Sequence, residues 1–270
     1  TRDWSSDVCS SDLINTDRVM AIGRNALYFE DYVLSIQYFN QVINAKPYLA
    51  DPYFFRGLAK INLDDFSGAE NDCTEAIERN PFVVNAYQVR GLARIQQDKL
   101  ADAVKDYQKA LELDPENIAL WHNLALCRIR QKEYDAAKND LDRLIIISPR
   151  YTKAYLMRGE VDLKQKDTLT AEKDFNRAIE IDRYDPDTWA SRGMLYLMKE
   201  QYKEAEEDLG KAIHLSVRNP GLYINRALAR YHQNNLRGAM ADYDLAIDMD
   251  ANNFIGHYNR GLLRAQVGDD

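Results

Sequence analysis

One glycine recurs along this chain at a fixed spacing of 34 residues. The column comprises Gly23, Gly57, Gly91, Gly159, Gly193 and Gly261, with Ala125 and Ala227 at the two positions between. A fixed period of this length indicates a repeat architecture in which each unit packs on its neighbours. Glycine within a helix costs about 1 kcal/mol relative to alanine, so its repetition needs a packing reason. We expect two helices to cross there with backbones too close for a larger side chain.

Further columns keep the same period and mark two helices in each unit. A large ring stands four residues before most of the glycines, at Tyr53, Tyr87, Trp121, Tyr155, Trp189 and Tyr223. Twelve, sixteen and nineteen residues after Gly91 stand Ala103, Tyr107 and Ala110, and similar residue types follow the other glycines. Offsets of three, four and seven residues place such side chains on one face of an α-helix. A proline then follows the second helix in four units, at Pro47, Pro81, Pro115 and Pro149.

The run from Tyr87 through Gly91, Ala103, Tyr107 and Ala110 to Pro115 resembles the repeat of tetratricopeptide (TPR) proteins. The resemblance implies an all-α fold, a right-handed superhelical solenoid of antiparallel helix hairpins that spans residues 14–270 as one domain. Seven full repeats and the first helix of an eighth are expected at about 16–49, 50–83, 84–117, 118–151, 152–185, 186–219, 220–253 and 254–270.

The sequence differs from the usual family pattern in three ways, and two of these differences predict local changes in structure. Arginine replaces the leucine that usually precedes the glycine in the family. The proline is shifted by three places to Pro186 and Pro220, so we expect those two turns to differ in shape. The fourth repeat has Leu124 and Ala125 in place of Arg and Gly, and we expect local packing to differ most there.

The two ends of the sequence lie outside the repeat pattern. Residues 1–13, TRDWSSDVCSSDL, resemble translated sequencing-adapter sequence, and the alternative is a native disordered tail. After Gly261 the sequence stops at Asp270 before a second helix, and we expect more repeats or another domain to follow. The repeats resemble those of bacterial TPR proteins, many of which are exported. The location of the protein could therefore be the cell envelope or periplasm, or the cytoplasm.

Charge and motifs exclude several classes of function. The net charge of −8 argues against a nucleic-acid surface, which would need a basic stripe. No apolar run approaches the roughly 18 residues of a membrane helix. Cys73 and Cys127 are expected to be separate buried thiols. No phosphate loop, nucleophile elbow or clustered metal ligands occur in the sequence, so we expect no catalytic residue, cofactor or metal.

Two charged columns accompany the glycines. Arginine precedes the glycine at Arg56, Arg90, Arg158, Arg192, Arg226 and Arg260. Aspartate recurs on the second helices at Asp72, Asp106, Asp140, Asp174, Asp208 and Asp242. Because the arginines lie on the buried side of their helix, we expect a ladder of ion pairs, within a hairpin or to the next one. Asp106→Ala should then lower the melting temperature more than Asp98→Ala. The residues for which we expect a structural rather than a binding role are Gly57, Gly91, Gly159, Gly193, Arg90 and Asp106.

The resemblance also implies a place for a ligand. First helices of TPR proteins line a concave groove that usually binds an extended peptide or a helix. The residues expected to contact a partner there are Phe54, Gln88, Gln96, His122, Arg130, Glu160, Lys164, Met194 and Met198. Leu58, Leu92, Leu126 and Leu228 share the stripe, and the alternative for these four is that they pack adjacent first helices together. The Lys, Asn and Arg clamp for chaperone-tail carboxylates is absent.

These observations favour a non-catalytic scaffold that binds a protein or peptide of unknown identity. The alternative is the sensor or docking region of a larger protein whose effector domain follows residue 270. A third hypothesis, glycan capture, depends on few candidate rings: Phe54, Tyr231 and Tyr258.

Overall fold

A computed structural model describes residues 15–268, and this part of the chain contains fifteen α-helices and no strand. The expectations for residues 1–13 lie outside it. The helices are α1 (Thr16–Tyr28), α2 (Tyr32–Ala45), α3 (Asp51–Ile61), α4 (Phe66–Arg79), α5 (Val84–Gln96), α6 (Leu100–Leu113), α7 (Ile118–Arg130), α8 (Tyr134–Ile147), α9 (Thr152–Lys164), α10 (Thr168–Ile181), α11 (Pro186–Met198), α12 (Tyr202–Leu215), α13 (Pro220–His232), α14 (Leu236–Met249) and α15 (Phe254–Val267).

The chain forms two compact units, one up to Ala136 and one from Ala137. In the first unit, α1 packs on α2, α3 on α4 and α5 on α6, and each hairpin also contacts the first helix of the next. In the second unit, α9, α11 and α13 pair in the same way with α10, α12 and α14, and α14 contacts α15. The predicted all-α architecture of stacked helix hairpins is confirmed.

The shifted prolines keep the length of the turns between hairpins but change their hydrogen bonding. Pro186 and Pro220 are the first residues of α11 and α13, and a four-residue turn precedes each helix, as it does α5. The turn before Pro186 starts at Asp182 with φ −141° and ψ 98°, nearly the same as φ −144° and ψ 98° at Asn80. The expected difference lies at the end of these turns. The N–H of Val83 donates to the carbonyl of Asn80 at 3.4 Å, whereas within residues 15–268 no such bond closes the turns that end at Asp185 and Asn219. Both residues precede a proline, which restricts their backbone conformation.

The glycine column is explained by a side chain rather than by backbone approach. A Cβ built on Gly159 would lie 2.6 Å from Cε1 of Phe175, sixteen residues on, and one on Gly91 would lie 2.8 Å from Cζ of Tyr107. Phe175 and Tyr107 are both fully buried. The large residue of the second helix thus lies against the bare face of the first, which corrects the expectation that crowded backbones exclude a side chain.

The ring column closes each turn with a hydrogen bond. The hydroxyl of Tyr87 donates to the carbonyl of Pro81, six residues earlier, at 3.2 Å. Trp189 Nε1 donates in the same way to the carbonyl of Arg183 at 2.8 Å. Equivalent bonds join Tyr53 to Pro47, Trp121 to Pro115, Tyr155 to Pro149 and Tyr223 to Val217. The acceptor is a backbone carbonyl, so the turn does not need proline at that position.

The turn inside each hairpin contains one residue in the left-handed conformation. These residues are Glu30, Asp64, Asp98, Lys132, Lys166, Glu200 and Asn234, with φ between 58° and 65°. They repeat every 34 residues, and none is glycine. A non-glycine residue costs roughly 1–2 kcal/mol in this region, and asparagine and aspartate tolerate it best.

The predicted ladder of ion pairs is present, and several of its arginines contact both their own hairpin and the preceding one. Arg56 holds Asp72 of its own hairpin with two bonds, Nε to Oδ2 at 2.8 Å and Nη2 to Oδ1 at 2.5 Å, while Nη1 donates to Asn40 of the preceding hairpin at 2.7 Å. The hydrogen bonds that Arg56 donates to Asp72 raise the pKa of this guanidinium, whereas its burial acts in the opposite direction. The same carboxylate contacts join Arg90 to Asp106, Arg158 to Asp174, Arg192 to Asp208 and Arg226 to Asp242.

A second network of charges, not foreseen from the sequence, links successive repeats. Arg94 donates to Glu70, 24 residues earlier, and to Asp106. Arg230 does the same with Glu206 and Asp242. At the equivalent place between α8 and α9 the charges are exchanged, because Lys138 pairs with the fully buried Asp162 at 2.5 Å.

Candidate functional site

A groove in the second unit is lined only by residues of the first helices α9 and α11. Its lining consists of Glu160, Leu163, Lys164, Ser191, Met194 and Met198, and it encloses about 440 Å³. We call these six residues the first-helix groove. Four of them, Glu160, Lys164, Met194 and Met198, were predicted as partner contacts, and the structure brings these four together.

The local fold accounts for this arrangement. Residues 160 and 164 are one turn apart on α9, and residues 191, 194 and 198 lie on one stripe of α11. Leu163 packs against the core formed by Ala171, Phe175 and Leu195, so it forms the base of the groove. Met194 is 48% exposed and Met198 is 58% exposed, which leaves both thioethers accessible to a ligand.

Polar groups lie among these apolar side chains. Ser191 Oγ donates to Oε1 of Glu160 at 3.3 Å, across the two helices. Burial raises the pKa of the Glu160 carboxyl, and the hydrogen bond from Ser191 and the charge of Lys164 only partly oppose this. The groove therefore combines an apolar surface with one carboxylate and one ammonium group.

Sequence reasoning missed two residues of the groove, Leu163 and Ser191. Both could have been found from helical spacing, because Leu163 follows Glu160 by three residues and Ser191 precedes Met194 by three. They were omitted because the predicted stripe was one residue wide on each turn.

Four other predicted contacts lie in the first unit. Gln88 and Gln96 are on α5, with Gln88 half-buried and Gln96 exposed. His122 and Arg130 are on α7, with His122 half-buried and Arg130 exposed. None of the four lines the first-helix groove, and their role in binding stays a prediction.

Phe54 is a correction to the predicted set. Its side chain is only 9% exposed and belongs to a core cluster with Tyr53, Cys73 and Ala86. It also lies against Phe55, with 4.9 Å between ring centroids. Phe54 therefore packs in the core instead of facing a partner, since the start of α3 turns it toward the next hairpin. This burial also weakens the hypothesis of a ring-lined glycan site.

The four leucines that share the stripe could either contact a partner or pack adjacent first helices together. Leu58 is half-buried and packs against the core cluster around Phe54, which matches the packing alternative. Leu228 is 37% exposed and lines a separate cavity with Leu262 and Leu263. Leu92 and Leu126 are half-buried.

Within residues 15–268, no group of three or more His, Cys, Asp or Glu residues is placed to hold a metal ion. Across the same residues, no helix has the length and apolarity that crossing a membrane requires. Cys73 and Cys127 are both buried and unpaired with each other, as expected from their separation in sequence.

Comparisons with protein families place the repeats in a known group. A TPR repeat model matches residues 91–128, and two tetratricopeptide repeat models match residues 122–186 and 175–207. No curated protein sequence matches the chain significantly.

Solved structures give the same result for the fold. A tetratricopeptide repeat protein from Parabacteroides merdae is 18% identical, with a TM-score of 0.71 over 92% of this chain and 98% of that one. The C-terminal part of a TPR repeat-containing protein from Cytophaga hutchinsonii is 14% identical, with a TM-score of 0.72 over 88% and 98%. YrrB, described as a TPR protein with an unusual peptide-binding site, is 20% identical, with a TM-score of 0.55 over 70% and 97%.

Proposed function

Because the chain is a tetratricopeptide repeat protein, we propose that it is a non-catalytic scaffold that binds a protein or peptide through the first-helix groove. A family of stacked helix hairpins serves protein interaction by presenting a rigid, extended surface. A preformed surface needs little ordering on binding, so many small contacts can add to a useful affinity. The peptide-binding site named for YrrB supports a ligand of this class.

The observation that carries the proposal is the exposure of Met194 and Met198 beside the base formed by Leu163. An apolar surface rimmed by polar groups is typical of a protein-binding site. Methionine suits such a surface, because its flexible, polarisable side chain adapts to different partners.

The test is selection of binders from a random peptide library displayed on phage, with the 270-residue chain immobilised. We expect peptides to be enriched by the unaltered chain and to lose binding to the Met194→Ser/Met198→Ser double variant. Leu169→Ser is the matched control, because Leu169 is 70% exposed at the start of α10 and lies outside the groove.

Circular dichroism would establish that all three proteins keep their helices. Enriched peptides that bind the double variant as well as the unaltered chain would move the binding site away from the first-helix groove. A parallel set with Gln88, His122 and Arg130 replaced tests whether the first unit contributes.

A further inference from the structure

Glu160 occupies a position where six of the other seven repeats carry an apolar residue and the first carries Arg24, so that Glu160 is the one carboxylate in the column. The apolar equivalents are Leu58, Leu92, Leu126, Met194, Leu228 and Leu262. A carboxylate in this column does not serve the packing of adjacent first helices, since the other repeats use leucine or methionine for that purpose. The repeat pattern therefore singles out Glu160 as a residue without a general structural role.

The surroundings of Glu160 leave its charge only weakly balanced. Within residues 15–268, no Lys, Arg or His forms an ion pair with Glu160, and Ser191 gives it one hydrogen bond of 3.3 Å. Lys164 acts on it only through its charge, one helical turn away. Glu160 is exposed, so a ligand can reach its carboxylate, and a cationic group of the ligand would form a charge-assisted hydrogen bond with it beside Leu163 and Met194.

The positions of the other groups set the spacing of a ligand. Glu160 and Ser191 are hydrogen-bonded and so mark one end of the first-helix groove. Met198 lies seven residues beyond Ser191 on α11, about 10 Å along the helix at 1.5 Å per residue. Met194 lies three residues beyond Ser191, about 4.5 Å along the helix. Side chains two positions apart on an extended peptide share one face and span about 6.6 Å, which falls between the two methionines.

On the basis of the proposed function, we infer that the first-helix groove selects peptides in which a Lys or Arg lies two residues from a bulky apolar residue. The basic side chain pairs with Glu160 and receives support from the Ser191 hydroxyl. The apolar side chain packs on Met194 and Met198, over Leu163. Lys164, at the Met198 end, disfavours a second basic residue there and makes the order of the two ligand groups specific.

The repeat itself supplies a variant that preserves the fold. Glu160→Leu restores the residue of the equivalent positions, so the helix and its packing are retained. Peptides selected by the unaltered chain should show the basic–apolar spacing, whereas selection by Glu160→Leu should keep the apolar residue and lose the basic one. Selection by Glu160→Lys should replace the basic residue by Asp or Glu.

Binding is then measured by fluorescence anisotropy with one fluorescein-labelled peptide selected by the unaltered chain. We expect about tenfold weaker binding to Glu160→Leu, in line with loss of one charged pair at an interface. Glu204→Leu is the control, because Glu204 is exposed on α12 outside the groove. The same peptides from all Glu160 variants would overturn the inference while leaving the proposed function intact. The inference would also be overturned, with the proposed function intact, if the Met194→Ser/Met198→Ser variant selected no peptides while the peptides selected by the unaltered chain lacked the basic–apolar spacing. Failure of the unaltered chain to select any peptide would overturn both.

Discussion

At the scale of single residues, the absence of a side chain at the glycine column lets the two helices of a hairpin pack closely. Gly159 leaves space for the ring of Phe175, and Gly23, Gly57, Gly91 and Gly193 each lie against a side chain sixteen residues on in the same way. Where alanine stands instead, as at Ala227, it is buried in one core cluster with Tyr243.

Two glycines of the second unit should respond oppositely to alanine. Gly159→Ala brings a methyl group within 2.6 Å of a buried ring, and we expect it to lower the free energy of unfolding by about 1–2 kcal/mol through overpacking. Gly210→Ala has open space around it in α12, so higher helix propensity should raise the free energy by up to about 1 kcal/mol. Urea unfolding followed by circular dichroism measures both changes. Equal effects would show that packing does not explain the column.

At the scale of the element, each helix pair is joined to the next by buried charge. Asp106 is almost fully buried and receives hydrogen bonds from both Arg90 and Arg94. Arg94 also contacts Glu70 of the preceding hairpin, so this one arginine on α5 connects α4, α5 and α6. Such a network holds neighbouring hairpins at a fixed relative position.

Removal of one carboxylate from this network should be strongly destabilising. Asp106→Ala removes the carboxylate partner of Arg90 and one of the two carboxylates that Arg94 contacts, and we expect a loss of about 3 kcal/mol. Asp102→Ala, on the same helix, removes only a solvent-exposed pair with Lys105 and should leave the melting temperature nearly unchanged. Asp98 is a less suitable control than the sequence indicated, because its φ of 59° gives its replacement a cost of its own. A similar melting temperature for the variants at 106 and 102 would contradict a structural role for the ladder.

The same network should make stability depend on acid pH. Burial alone would raise the pKa of Glu70, but hydrogen bonds from Lys99, Arg94 and Gln97 lower it to about 2, from an ordinary value of 4.5. A group with a lowered folded-state pKa stabilises the protein above its unfolded pKa, and this contribution is lost as the pH falls from about 4.5 toward 2. Glu70→Gln should therefore reduce the loss of stability between pH 5 and pH 2.5, measured by urea unfolding. An unchanged pH dependence would contradict the assignment.

The sequence predicts the columns but not all of their partners. Arginine and aspartate can be paired in advance because both recur as identifiable side chains at one period, whereas the side chain that lies against the glycine column was not foreseen. The bond from Tyr87 to the carbonyl of Pro81 could not be predicted, since a backbone acceptor carries no residue identity. The charge exchange at Lys138 and Asp162 was also missed, because it reverses the pattern of the other repeats. In the groove, the exposure of Met194 followed from helix phase, whereas burial of Phe54 depends on the angle at which α3 packs.

At the scale of the whole molecule, contacts are local within each unit. Hairpins touch the hairpins before and after them, so stability is close to a sum over repeats and their interfaces. Regions of such a molecule can open separately, each with its own free energy.

Thiol labelling can measure this locality. In a Cys9→Ser background, the remaining cysteines both belong to the first unit, and burial raises the pKa of Cys73 to about 12 and that of Cys127 to about 11. They should react slowly with Ellman's reagent at pH 8, because neither the thiolate nor access is available. Asp106→Ala should accelerate the reaction far more than Asp208→Ala, its ladder equivalent in the second unit. Equal acceleration would indicate that the two units open as one.

The left-handed turn residues have a practical consequence for engineering. Asp64, Asp98 and Asn234 already have the tolerated residue types, but the other four positions, Glu30, Lys132, Lys166 and Glu200, carry residues that are less well tolerated than asparagine or glycine. Replacing these four would relieve strain at separate sites along the chain, in turns outside the first-helix groove. Small gains of a few tenths of a kcal/mol to about 1 kcal/mol at each site would add up, since distant sites act independently. These turn positions therefore offer a way to increase the thermal stability of the protein without changing the residues of the first-helix groove.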